Sequence, residues 1–146
     1  QREGCFVTIT KNGNLRGCIG YITSQKPLHE TIKEAAISAT LHDPRFPPLQ
    51  EEELQTIKVE VSVLSRPQPV NDTDPQARLA AFEAGKKGLI VTKGTQSGLL
   101  LPQVFDEETS AEEALSMTCE KAGLPQNEWM KPETTIYTFT ATVHKE

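Results

Sequence analysis

The chain has 146 residues, a formal net charge of −5 and only 5% aromatic residues. One domain, residues 1–146, is the default at this length, with about 68–70% of the unfolded surface buried and no need for staples. Lys and Arg are spread without a dense run, which, with so few aromatics, excludes a broad phosphate-tracking or base-stacking surface.

No apolar run reaches the roughly 18 residues of a membrane-spanning helix, so no membrane association is expected. No charged stretch followed by an apolar one marks a secretory leader. Cys5, Cys18 and Cys119 are odd in number and lack metal-finger spacing, so free thiols, no metal and a cytoplasmic setting are expected.

In chain order, Cys5–Lys11 and residues 15–22 flank Asn12-Gly13, the strongest short-range signal of a β-hairpin. Strand alternation then puts Arg16 and Cys18 on one face and Leu15, Gly17 and Ile19 on the other. Gly17 and Gly20 bracket the cysteine, and glycine inside a strand often marks a bulge or a close backbone approach. From about Pro27 to Leu41, Leu28, Ile32, Ala35, Ala36 and Ala39 recur at helical spacing. Pro44 ends that helix, because it drives Asp43 out of the helical region. His42-Asp43-Pro44-Arg45-Phe46-Pro47-Pro48 is then a stiff loop able to hold Arg45 and Phe46 in fixed directions. In a purely structural role, Phe46 plugs the core and Arg45 pairs with a carboxylate such as Glu51 or Glu60.

Glu51-Glu52-Glu53-Leu54 reads as a solvated acidic turn. Ile57 to Leu64 alternates as a half-buried strand, with Ile57, Val59, Val61 and Val63 inward and Lys58, Glu60 and Ser62 outward. Residues 65–75 form a connector, and a small subdomain around 66–87 is an option. Asn71-Asp72-Thr73-Asp74-Pro75 offers several N-cap candidates followed by proline, and a short helix through Ala80 to Ala84 would end at Gly85. Gly88–Thr92 and Ser97–Leu101 form a second hairpin around Lys93–Gln96. Gln103, polar in an apolar run, either orients a ligand or satisfies nearby backbone. Ser110-Ala111-Glu112-Glu113 is a capping box that starts a helix ending at Gly123, with Cys119 on its packed side. Trp129 anchors the segment that follows, and residues 134–143 read as a last strand. Hairpins without repeated strand–helix–strand units predict an α+β fold with a largely antiparallel sheet and about three packing helices.

Leu15-Arg16-Gly17-Cys18-Ile19-Gly20 resembles the signature of the AMMECR family, and Thr40–Pro48 resembles its Asp-Pro-Arg-Phe segment. Glu60–Leu64, Gly88–Ile90, Gly98–Val104, Cys119–Pro125 and Trp129 extend the likeness from about Gly4 to Val143. The resemblance implies the same α+β class. It also implies a helix before the first strand, whereas this chain starts almost at the strand. Family members are associated with Memo-like and radical-SAM proteins, which suggests a modification reaction, RNA modification among the options, with a protein partner supplying any RNA contact.

Three chemistries can be weighed against these residues. Cys18 is the candidate catalytic nucleophile, with Arg16 favouring its thiolate and His42 the nearest candidate base. A metal site has no suitable spacing. Arg16, Asp43, Arg45 and Gln103 are candidates for binding an anionic small molecule such as a carboxylate or a single phosphate, and their match to the family motifs implies one cleft lined by Arg16, Cys18, Arg45 and Gln103 between the first hairpin, the stiff loop and the second hairpin. No particular cofactor is indicated. Two function classes therefore stand side by side: a pocket-bearing enzyme or accessory subunit, and a non-catalytic adaptor in which Cys18 is a packing residue.

Overall fold

The structure, a computed structural model, describes residues 2–84 and 86–145. In chain order its elements are β1 (Arg2–Lys11), β2 (Asn14–Ser24), α1 (Leu28–Leu41), β3 (Ile57–Leu64), β4 (Gln68–Pro69), α2 (Pro75–Ala80), β5 (Gly88–Lys93), β6 (Gln96–Leu100), α3 (Ala111–Lys121), β7 (Thr135–Phe139) and β8 (Ala141–Lys145), with three short 3₁₀ turns between them. The chain divides into two units, Gln1–Arg66 with Thr142–Glu146, and Pro67–Ala141.

The first unit is a four-stranded sheet in the order β2-β1-β3-β8, with α1 against one face. The hairpin turn is set by Asn12 and Gly13, at φ 53° and 80°. Two successive left-handed residues give a turn whose twist matches the strands it joins. Cys5, Val7 and Ile9 of β1 are buried against Ala35 and Ala39 of α1, with Ile19, Val59 and Val61 packed alongside. Alanines on the helix allow a close approach, and Gly17 allows a closer one. A Cβ built on Gly17 would sit 2.1 Å from the carbonyl oxygen of Ala39, so only glycine fits beneath the helix there.

The alternation in β2 is broken where the sequence predicted it to continue. Ile9 opposes Gly17, but Thr10 opposes Leu15, so Arg16 is an extra residue in a β-bulge. The bulge turns Leu15 onto the face of Thr10 and leaves it exposed, rather than beside Gly17 and Ile19. In β3 the expected inner face packs as predicted near Ile57, Val59 and Val61, but Ser62 and Leu64 are buried too. Both faces are covered at that end of the strand.

The second unit has a sheet in the order β4-β7-β5-β6. Its hairpin turns at Gly94-Thr95, with Gly94 at φ 61°. Helix α3 carries the first half of the expected capping box: the Glu113 amide donates to Ser110 Oγ at 3.1 Å. It ends in a Schellman motif, with Leu124 N–H donating to Cys119 C=O and Gly123 N–H to Glu120 C=O, each at 2.9 Å. Leu89, Val91, Leu115, Cys119, Trp129 and Ile136 are part of its buried core. Arg78 is buried as well, and its guanidinium donates to the carbonyls of Trp129, Lys131 and Thr134 at 2.7, 3.0 and 2.6 Å.

Two further expectations are corrected here. The single last strand is two, β7 and β8, broken at Thr140 and placed in different sheets. Helix α2 starts at Pro75 after the N-cap position Asp74, as expected, but runs only over Pro75–Ala80 and stops short of Ala84. The expected stop at Gly85 lies outside the described residues.

Gly17→Ala should destabilise the protein by about 2 kcal/mol or more, since a backbone carbonyl and not a flexible side chain occupies the space. The urea midpoint of the variant against the wild type measures it.

Candidate functional site

Cys18 lies opposite Thr8, on an edge strand of the first sheet. An edge strand leaves backbone groups without a ladder partner. At Cys18 these groups are taken up by the loop after α1. Asp43 Oδ2 accepts the Cys18 N–H at 3.0 Å, and Arg45 Nη2 donates to the Cys18 carbonyl at 3.3 Å. Asp43 and Arg45 are themselves locked together, Nε to Oδ1 at 3.0 Å and Nη2 to Oδ2 at 2.8 Å. The Arg45 N–H also donates to Oδ1 at 3.0 Å, which closes a tight turn over Pro44. One ion pair therefore grips both polar groups of one peptide residue.

Burial opposes ionisation of Asp43, but the Arg45 guanidinium outweighs it and, with the amides of Cys18 and Arg45, holds the carboxyl well below the usual range. The same bond to Asp43 raises the Arg45 pKa. The Asp43 side chain is sealed in, whereas that of Arg45 remains 50% exposed.

A second carboxylate organises the bulge. Glu53 accepts Arg16 Nε at 3.0 Å and Nη2 at 3.1 Å in a bidentate pair, and Lys11 Nζ at 3.0 Å. It also takes the Gln50 N–H at 2.8 Å, as the far half of a capping box on the 3₁₀ turn Glu51–Gln55. These contacts, Arg16 first, lower its pKa to about 2. Phe46 joins the two pairs: Arg16 Cζ lies 5.9 Å and Arg45 Cζ 5.5 Å from its ring centroid, within cation–π range.

Cys18 Sγ shares a hydrogen bond with Thr8 Oγ1 at 3.3 Å and is half-buried. Cys5 and Cys119 are buried, and burial pushes both thiols up. Cys18 is thus the accessible thiol of the three.

Arg16, Cys18, Asp43 and Arg45, separate in sequence, meet in one constellation of the first unit. Gln103 belongs to the second unit, exposed in the 3₁₀ turn Pro102–Val104. The partner of Arg45 is Asp43, two residues away, and neither Glu51 nor Glu60; Glu60 faces Lys145 at 3.8 Å. Phe46 is half-buried between guanidinium groups and does not plug the core. His42 is exposed at the end of α1, and the thiol's hydrogen-bond partner is Thr8. Glu53, expected in a solvated acidic turn, is the hub of a cation network. Gln50 and Glu53 at capping-box spacing are the signal that would have singled it out. Among the described residues, no group of three His, Cys, Asp or Glu side chains could hold a metal ion.

Two antiparallel sheets, helices set against them and a bulged edge strand with a clamped cysteine define an α+β domain built around the Leu15–Gly20 motif. A family model described as AMMECR1 matches residues 1–144, and the chain belongs to the AMMECR1 family. A protein of Methanothermobacter thermautotrophicus is 52% identical over all of this chain and 77% of its own length. Protein MK0488 of Methanopyrus kandleri is 47% identical, matched over all of this chain and 72% of its own length. The crystal structure of the uncharacterized protein PH0010 from Pyrococcus horikoshii superposes with a TM-score of 0.90 at 44% identity, over all of this chain and 74% of that one.

The two lowered carboxyls of the site, together with that of Glu128 in the second unit, which Lys93 lowers, set a pH dependence. A group whose pKa falls on folding stabilises the native state above its unfolded value and loses that contribution as pH drops through its folded value. For Glu53 this window runs from its ordinary 4.5 down to about 2, and Asp43 adds to it from 3.8 downward. The urea midpoint should therefore be level above about pH 5 and fall steadily below it, and Glu53→Gln should flatten part of that slope.

Proposed function

We propose that this domain presents Cys18, with Arg45 beside it, to an anionic group, as the ligand- or substrate-holding part of a modification system. The observation that carries this reading is the capture of both peptide groups of Cys18 by Asp43 and Arg45. It fixes the backbone that bears the one accessible thiol while leaving half of the Arg45 side chain in solvent. Within these ion pairs three cations, Lys11, Arg16 and Arg45, meet two carboxylates, Asp43 and Glu53, but Glu51 and Glu52 lie on the turn that carries Glu53, so the support for an anion is local to Arg45. Arg45 Nη1 takes part in none of its bonds to Asp43 or Cys18.

In this reading Cys18 contacts the ligand and is the candidate for covalent chemistry, with Thr8 Oγ1 as a hydrogen-bond partner for its sulfur. Arg45 is the principal anion contact. Arg16, whose side chain is only 11% exposed, stiffens the bulge and contributes its charge. Asp43 is a positioning residue, since its oxygens are occupied by Cys18 and Arg45. The domain serves either as the enzyme or as an accessory subunit, with a carboxylate or phosphate group as ligand. The family association with Memo-like and radical-SAM proteins makes RNA modification one such reaction, its RNA contact coming from a partner. A non-catalytic adaptor role is the second reading, favoured by two exposed leucines, Leu41 at the end of α1 and Leu54 in the 3₁₀ turn, that line one groove.

Alkylation by iodoacetamide, read site by site by mass spectrometry, tests the first reading. Cys18 of the native protein should react at least about tenfold faster than Cys5 and Cys119, and millimolar inorganic phosphate or AMP should slow Cys18 alone. Labelling of Cys18 only on unfolding, or at the same rate with and without the anions, would contradict it.

A further inference from the structure

Helix α1 departs from its own pattern near its end. Its buried residues are Thr31, Ala35 and Ala39, yet Ile37 is 44% exposed and Leu41, one turn on, 45%. Singly exposed aliphatics are ordinary, whereas aliphatics gathered around a concavity mark a binding surface. Leu41 lines a groove of about 250 Å³ with Thr40, Leu49, Gln50, Glu51 and Leu54. Leu54 is 57% exposed.

The groove is preformed. The Leu49 N–H donates to the Thr40 carbonyl at 2.8 Å, tying the Pro-rich loop back onto the helix. The Gln50–Glu53 capping box fixes the far wall, and Glu53 is anchored in turn by Arg16 and Lys11. A wall already ordered costs a binding partner little conformational entropy. The volume lies below the roughly 300–1,000 Å³ of small-molecule sites, so it suits side-chain anchors from another protein better than a free ligand.

Charge selects the partner. Glu51 and Glu52 are exposed on the turn, and among the described residues neither forms an ion pair. The rim is therefore acidic and uncompensated beside an apolar floor. A second copy of the chain, meeting its own surface about a two-fold axis, would bring these carboxylates towards one another on a molecule of net charge −5. A nucleic acid would meet the same repulsion.

We infer that this groove docks a partner protein's amphipathic segment, whose aliphatic anchors seat against Leu41, Leu49 and Leu54 while a flanking Lys or Arg pairs with Glu51 and Glu52. The groove shares with the Cys18 site the turn that carries Glu53, but none of its lining residues is bonded to Cys18, Asp43 or Arg45, so the two readings have separate readouts, methyl shifts for the groove and the alkylation rate for Cys18, and either can fail without the other.

The test uses methyl-labelled protein and a helical peptide of about 14 residues, with leucines at i, i+3 and i+7 and lysines on both flanks. The Leu41, Leu49 and Leu54 methyl resonances should shift on titration. Leu54→Asp should weaken binding by about tenfold or more, and a twin peptide with Glu in place of Lys should bind several-fold more weakly. Circular dichroism confirms that the variant, changed at an exposed position, remains folded. The proposal is overturned if the methyls do not move at millimolar peptide, if a scrambled peptide binds equally, or if Leu54→Asp binds like the wild type. Concentration-dependent shifts of the same methyls without peptide would assign the groove to a second copy and overturn it too.

Discussion

The first unit turns on a single buried carboxylate. Asp43 sits where helix α1 has just ended, held there by the proline after it, and accepts hydrogen bonds from a strand amide, from the amide two residues on and from the guanidinium that amide carries. A buried carboxylate is tolerated only when its charge and lone pairs are met, and here they are met on every side. The edge of the sheet gains as well. The open backbone groups at Cys18, which would otherwise template a foreign strand, are spent on an ion pair. The cysteine's position is thereby a property of the loop as much as of the strand.

The second carboxylate, Glu53, repeats the device on the other side of Phe46. A bulge displaces Arg16 from the ladder, and Glu53 catches it bidentately while sharing an oxygen with Lys11. The aromatic ring between Arg16 and Arg45 keeps the two pairs in register. The Asp-Pro-Arg-Phe segment and the Leu15–Gly20 motif thus form one structural object. The former supplies the carboxylate, guanidinium and ring that fix the latter. Three prolines in the loop reduce the freedom that this arrangement has to freeze out.

Much of the fold was legible because its signals are local. Asn12-Gly13 announced the turn, Ser110 and Gly123 the two ends of α3, and the alanine spacing the packed face of α1. The glycine beside Cys18 was correctly read as a place of close approach, and α1 is what approaches. The errors fall where a distant contact overrules a local period. A bulge of one residue moved Leu15 to the opposite face. A break at Thr140 divided one alternating run between two sheets. At the site, Arg16, Cys18, Asp43 and Arg45 were chosen from motifs, but their bonding was not visible in them. Glu53 lies 37 positions from Arg16, and nothing local distinguishes it from Glu51 and Glu52 except its spacing from Gln50. Pairing across such a distance is decided by where a stiff loop ends in space, which composition and periodicity do not encode.

The central claim, that Asp43 holds Cys18 through its backbone, is tested most directly by hydrogen exchange of the Cys18 amide. This edge amide should be as protected as its neighbours within the sheet, and Asp43→Ala should lower its protection by about a hundredfold or more while the Val7 amide, in the centre of the same sheet, changes far less. A Cys18 amide that already exchanges in the wild type like an open edge position would contradict it.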